Sequence, residues 1–245
     1  MRIWDLPAGY LNRQSLLGEH RELHGIHIIL SKGKAGYARH PETRRWQGVL
    51  SGLVQRHALL VAEMRLRGYT DRTPVSCDAT VTWPTTFVTD PGEQVALLRR
   101  KYLGRESGRI PLPRNAQQLW AQHKYSVLAR SPVLYRRFGE AVARPRSRGP
   151  MADVLRDLVL ILREPPSSGG LVTAIEHMWG HVRTRATADE RQQAKTGALQ
   201  MLALTQMLAL RVREPYLTAS TALSELGACR EAGPSSTRAL TARDP

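Results

Sequence analysis

Apolar residues recur at helical spacing along most of the chain. Leu16, Leu23, Ile26 and Leu30 form one stripe of a segment that Asn12 can cap, predicting a helix over residues 13–30. Two more helices are expected over 41–52 and 53–67. In the second, Leu53, His57, Leu60 and Met64 share a face, and Gly68 follows a basic last turn. Residues 70–91 scatter Val75, Val81, Phe87 and Val88 among prolines and threonines, which predicts loop with at most a turn of strand; helix resumes over 93–103. One glycine and two prolines in 105–114, just after Gly104, mark a linker, and Asn115 can cap a helix to 128. Further helices are expected over 132–143, 151–163, 171–183, 188–212 and 218–226, with a basic break at 144–150. Thr187 caps the long one, where a capping box would need Glu at Arg191.

The fold class is therefore mainly α, and a length of 245 residues suggests two small helical domains. The expected division is 1–107 and 113–227, with a small, polar, disordered tail at 228–245. No apolar run approaches the ~20 residues of a membrane helix, so no membrane partner is expected. Thirty-six Lys and Arg against twenty-one Asp and Glu leave +15. The excess is mostly arginine, whose planar fork suits phosphate, so the first partner to consider is a nucleic acid. The lysines and arginine of the loop Lys32, Lys34 and Arg39, with His40 beside them, suit backbone phosphates, and so do the basic positions of 65–72; the loop is no Walker motif. Two cysteines, Cys77 and Cys229, are too few for a disulfide framework or a four-thiolate site, which fits a reducing cytoplasm.

Common catalytic signatures are missing: there is no Gly-x-Ser-x-Gly elbow, no dinucleotide fingerprint and no CxxC pair. His20 and His24 stand four apart on one helix, as do His177 and His181, but neither pair follows the zincin pattern or shows a third ligand in sequence. No metal site and no cofactor are expected. What remains is amine chemistry. Arg2 is too large for methionine removal, so Met1 should keep the α-amine, whose ordinary pKa of about 7.7–8.0 leaves a fair fraction neutral and nucleophilic. Glu19 and Glu22 flank the apolar stripe of the first helix, either paired with a cation or held for chemistry.

Residues 1–103 resemble the pyrimidine-dimer DNA glycosylases of the phage endonuclease V type, in their cellular branch. The resemblance rests on Met1-Arg2-Ile3, Gln14 with Leu16, Glu19-His20-Arg21-Glu22-Leu23, the stretch Tyr37-Ala38-Arg39-His40-Pro41-Glu42-Thr43, and Ala62-Glu63-Met64-Arg65-Leu66-Arg67-Gly68-Tyr69. It implies an endonuclease V-like helical fold. It also implies that the Met1 amine attacks C1′ of the damaged nucleotide, with Glu22 assisting through the imine and β-elimination of an AP lyase, while Arg2, Arg21 and Gln14 hold the DNA. The chain departs from the phage enzymes at Gly25, where they have an arginine, and lacks their aromatic C-terminal motif.

Residues 113–226 resemble a second family, the YbgA-like domain of unknown function, through Gln122-His123-Lys124-Tyr125, Ala129-Arg130-Ser131-Pro132 with Tyr135-Arg136, His177 with Gly180, and Pro215-Tyr216-Leu217. The spacing of His123, Lys124, Tyr125, Arg130, Tyr135 and Arg136 suits a basic, aromatic groove for nucleic acid or, equally, a polar helix interface. The combined expectation is a monomeric DNA repair glycosylase and AP lyase, cytoplasmic and nucleoid-associated, acting on damaged double-stranded DNA, with a helical module that assists binding. The alternatives are a non-catalytic damaged-DNA or RNA binding protein, and a glycosylase for another bulky or alkylated base.

Overall fold

The computed structural model describes residues 1–143 and 151–229, so the basic break at 144–150 and the tail from 230 lie outside the described residues. Among the described residues there is no strand, and the architecture is mainly α. An extended segment and a 3-10 turn at Ala8–Tyr10 lead into α1 (Arg13–Lys32), where the Asn12 side chain accepts from the Ser15 N–H. Leu16, Leu23 and Ile26 are fully buried, as their stripe requires, and Gly33 closes the helix in the left-handed region at φ 59°.

Next come α2 (Pro41–Arg45), α3 (Leu50–Leu66) and α4 (Pro91–Lys101). The second predicted helix is much shorter than 41–52 because the chain turns at Trp46 to Val49, with Gly48 at φ 77°. Leu53, His57, Leu60 and Met64 do share the buried face of α3. The second half comprises α5 (Ala116–Leu128), α6 (Pro132–Ala143), α7 (Met151–Arg163), α8 (Ser168–Val182), α9 (Ala188–Ala194), α10 (Ala198–Arg211), α11 (Pro215–Thr218) and α12 (Ala222–Ala228). The long helix expected over 188–212 is two helices. Lys195 to Gly197 break it, and the capping box forms with Glu190, the true third position, rather than failing at Arg191.

The linker at 105–114 is irregular, as its glycine and prolines predict, but it is not a free spacer. Ile110 is fully buried and donates its N–H to Gly9 O at 2.9 Å. One apolar core joins Ile3, Leu6, Leu16, Leu23 and Leu98 to Leu119, Val127, Leu155, Leu158 and Val159, so the two halves are packed across the expected division. A second core of Ile175, Met178, Leu208, Leu223 and Leu226 lies within the C-terminal helices.

Polar clasps reinforce that junction. Asp5 accepts from Arg45 and Arg163, both at 2.8 Å, and from Gln94 at 2.9 Å, linking the N-terminal segment to α2, α4 and α7. Glu63 in α3 is fully buried and receives Arg67 at 2.7 Å and Arg109 at 2.9 and 2.6 Å. Arg109 also donates to Thr218 O and Ser220 O, at 2.7 and 3.2 Å. Burial alone would lift the Glu63 carboxyl, but Arg109 and Arg67 outweigh it and hold it below its ordinary 4.5.

Because Glu63 is depressed in the fold, its stabilisation is present above pH 4.5 and lost as the pH falls through the folded value. Arg109→Ala strips a buried carboxylate of its main partner and is expected to cost about 3–5 kcal/mol at neutral pH. Urea unfolding at neutral and acidic pH should show the gap between wild type and variant narrowing below pH 4.5; a gap that does not change with pH refutes the assignment.

Candidate active site

The N-terminal segment runs along α1 because the helix supplies acceptors for its backbone. Glu19 is 2% exposed; its Oε1 accepts the Trp4 N–H at 3.1 Å, and its carboxylate takes the Arg56 fork at 2.8 and 3.0 Å. Arg56, from α3, reaches on to Leu6 O at 2.9 Å. Burial pushes Glu19 up to about 7 against the pull of Arg56 and of the Trp4 amide. Of the two roles left open for this carboxylate, pairing with a cation is the one found.

One helical turn further, Glu22 Oε2 accepts a short hydrogen bond from the Arg2 N–H. That contact brings the carboxylate to the second residue of the chain. Glu22 is half-buried and lines a cleft of about 340 Å³ with Arg2, Trp4, Gln14, Ser15, Gly18, Glu19, Leu97 and Lys101. Arg2, Gln14 and Glu22 thus come together. The Arg2 guanidinium lies 5.0 Å from the Trp4 ring centroid and donates to Thr89 Oγ1 at 3.3 Å. Met1 packs against the core, with the Thr43 hydroxyl 3.9 Å from its sulfur. Lys101, in the last turn of α4, was not foreseen; it stands 79 residues from Glu22, and nothing local in sequence marks it.

The remaining expected contacts lie elsewhere. Arg21, Lys32, Lys34 and Arg39 are exposed, the last three in and after the final turn of α1. From Glu22 to Lys32 the helix rises ~15 Å, so this loop stands well away from the cleft mouth. His40 is committed locally, its Nδ1 accepting the Glu42 N–H as the cap of α2. Among the basic positions of 65–72, Arg67 is taken by Glu63.

The opposite face of α1 carries a cluster that sequence spacing did not disclose. His20 and His24 meet His57 of α3 and Asp71 of the following loop, with one ligand atom from each lying within 4.8 Å of the others. The third partner missing from the pair in sequence is therefore supplied by tertiary contact. Burial, then the neighbouring His20, holds His57 down to about 4, and burial followed by His20 lowers His24.

The six residues expected to line a second-half groove do not do so together. His123 is fully buried, with Nδ1 2.8 Å from Leu119 O, and burial lowers it to about 4. Arg130 is paired with Glu225 at 2.6 Å and donates to Ser126 O and Leu162 O, both at 2.8 Å. Tyr135 packs on Trp120, at 5.4 Å between ring centroids, and Arg136 is exposed. These residues are mostly helix interface, as the other reading of the spacing had it. Lys124 and Tyr125 instead join His181, Glu214 and Tyr216. The Lys124 ammonium lies 4.7 and 5.2 Å from the two tyrosine centroids, and Tyr125 Oη is 2.6 Å from His181 Nε2. Burial lowers Lys124, with Glu214 opposing.

Comparison with known families agrees with both halves of this picture. Residues 1–76 match the family model described as pyrimidine dimer DNA glycosylase. That match contains Arg2, Gln14 and Glu22 and every member of the histidine cluster, and it supports a pyrimidine-dimer glycosylase that binds damaged DNA. Residues 124–225 match a protein family of unknown function, DUF1722. The two matches fall in the two stretches where the motifs suggested these two families. No curated protein and no solved structure matches it. Among the described residues, no helix is long and apolar enough to cross a membrane.

Arg56→Leu is expected to cost about 3–5 kcal/mol, because Glu19 is left buried and unpaired. Adding Glu19→Leu should recover much of that stability, since a buried pair is often replaceable by apolar side chains of similar volume. It also removes the acceptor of the Trp4 amide, so hydrogen exchange at Trp4 should be faster in the double variant even where its urea midpoint returns. Unchanged Trp4 exchange would show that Glu19 does not anchor the segment.

Proposed function

We propose that the N-terminal half is a DNA glycosylase and AP lyase in which the α-amine of Met1 is the nucleophile and Glu22 its partner. The observation that carries this reading is the hydrogen bond from the Arg2 N–H to Glu22 in a cleft that Arg2 and Gln14 also line. The neutral amine forms a bond to C1′ as the bond from C1′ to the base breaks, and the base leaves with its electron pair. Glu22 stabilises the positive charge that develops on the sugar and accepts a proton from the attacking nitrogen. Ring opening leaves an imine between Met1 and C1′. Removal of a C2′ proton then expels the 3′ phosphate, and water releases the enzyme. Apart from that hydrolytic water, every step uses atoms of the chain and the DNA.

In this reading Arg2, Arg21 and Lys101 hold phosphates around the lesion, and Lys32, Lys34 and Arg39 contact the backbone further along. The damaged nucleotide has to leave the stack to reach the cleft, which costs least where stacking is already impaired. The second half assists binding through Lys124 and Tyr216 rather than through the six-residue groove. Tyr216 is 56% exposed and is the aromatic face there available for a base.

Borohydride trapping tests the chemistry. Incubation with duplexes holding a cyclobutane dimer or an abasic site should give a covalent adduct whose peptide maps to Met1. Glu22→Gln is expected to slow adduct formation on dimer DNA by about 10²-fold or more, and acetylation of the terminus should abolish it on both duplexes. Lys101→Ala should leave the adduct in place. An adduct mapped to Lys101, or none with either duplex, rejects the assignment.

Undamaged DNA tests the second half. Lys124→Ala should weaken binding and reduce the slope of log affinity against log salt by about 1. Tyr216→Ala should weaken it by about 1–3 kcal/mol per stacked base with little change in that slope. Wild-type binding by both variants would remove this half from the DNA interface.

A further inference from the structure

Behind α1, on the side away from Glu22, four side chains converge on one point. His20 and His24 are four apart and share a helix face, whereas Glu22, midway between them, lies about 200° round the axis from each. His20 Nε2 and His24 Nε2 stand 3.4 Å apart. Asp71 closes the group, with Oδ1 3.3 Å from His20 Nε2 and Oδ2 3.7 Å from His57 Nε2.

Those separations have a chemical meaning. A zinc ion bound tetrahedrally at ~2.0–2.1 Å sets its ligand atoms about 3.3–3.4 Å from one another. The three shortest spacings meet or slightly exceed that value, and one ligand atom from each of the four residues lies within 4.8 Å of the others, so small side-chain adjustments would close the set on one ion. Ordinary hydrogen bonding does not account for the arrangement. His57 is only 5% exposed, and its buried Nε2 has no hydrogen-bond partner. His20 and His24 can share at most one proton on the line between them.

The carboxylate is also pre-oriented. Thr73 donates its N–H and its hydroxyl to Asp71 Oδ1, at 2.9 and 3.2 Å, and the same hydroxyl lies 3.1 Å from His24 Nε2. Outer hydrogen bonds of this kind fix metal-ligating carboxylates in place.

We infer that His20, His24, His57 and Asp71 form a structural zinc site that fastens α1 to α3 and to the loop after it. Three imidazoles and one carboxylate, with no thiolate, suit zinc, and four protein ligands in a half-closed site match a structural rather than a catalytic centre. The position explains what the ion would do. Glu19 and His20 are neighbours on α1, and Arg56 and His57 are neighbours on α3. The zinc therefore forms a second rung beside the Glu19–Arg56 ion pair that anchors the N-terminal segment.

The test needs no DNA and stands apart from the proposed reaction. The full-length protein, produced in zinc-supplemented medium and purified without chelator, should carry about one zinc per chain by inductively coupled plasma mass spectrometry. Chelation should lower its thermal midpoint, and zinc chloride should restore it. Cobalt chloride added to the chelated protein should give the intense visible bands of a tetrahedral Co(II) site. His24→Ala and His57→Leu should each lose zinc and the cobalt bands while keeping the helical circular dichroism spectrum. Thr73→Val, which is no ligand of the ion and stands at an exposed loop position, should weaken zinc binding by about 10- to 100-fold. Wild-type protein without zinc that also gives no tetrahedral cobalt spectrum overturns the inference, as does full zinc content in both histidine variants.

Discussion

The geometry of the cleft depends on one buried ion pair, Glu19 with Arg56. A carboxylate taken this far from water is tolerated because the guanidinium satisfies both oxygens, and Arg56 is held in turn by Glu19 and Leu6 O. The first residues of a chain are usually loose because nothing pairs their backbone. Here Trp4 N–H has Glu19, Asp5 N–H has Gln94, and Ile3 and Leu6 are buried beneath them. With residues 3–6 fixed, Arg2 has little freedom left, and its amide falls on Glu22. Anchoring by the backbone leaves the terminus free for the role proposed for it.

The second half participates in the same anchoring. Arg163, at the end of α7, completes the charge balance of Asp5, and its guanidinium lies against Trp83 and Phe87, at 5.4 and 4.9 Å from their centroids. Arg109 carries Glu63 of α3 to the carbonyls that precede α12, and the Tyr10 hydroxyl donates to Gln122 Oε1 at 2.6 Å. Arg163, inside the second match, thus completes a polar network begun by Asp5 in the first, while Arg109 and Gln122 bridge the halves from the stretch between the two matches. A half detached at the linker would leave Glu63 short of a partner and Leu119, Val127 and Leu155 uncovered.

Much of this was legible in sequence where local chemistry decides it. Asn12, Asn115 and Thr187 cap helices as their side chains allow, and the stripe of α1 is buried as spaced. Arg2, Gln14 and Glu22 came from a family motif, and they meet. What escaped was set by tertiary contact. Lys101 reaches the cleft from α4, and His57 and Asp71 join a histidine pair that looked incomplete. Spacing along α5 and α6 made His123 and Arg130 look available, yet helix packing buried the first and the unforeseen Glu225 claimed the second. A period shows which residues share a face and is silent on what covers that face.

Two carboxylates three residues apart on one helix illustrate how environment assigns roles. Glu19 is almost fully buried, with the Arg56 guanidinium on both oxygens and the Trp4 amide on Oε1, so it is committed to anchoring. Glu22 lies one turn on, half-buried at the wall of an open cleft, with the Arg2 amide as its one protein hydrogen-bond donor among the described contacts. A carboxylate oxygen accepts more than one hydrogen bond, so Glu22 retains capacity for a proton or a developing charge. The same helix that fixes the N-terminal segment through one glutamate thus sets the next at the wall of the cleft, and under the proposed reaction this divides anchoring from chemistry: the half-buried Glu22 stays accessible without loosening the chain it would have to meet.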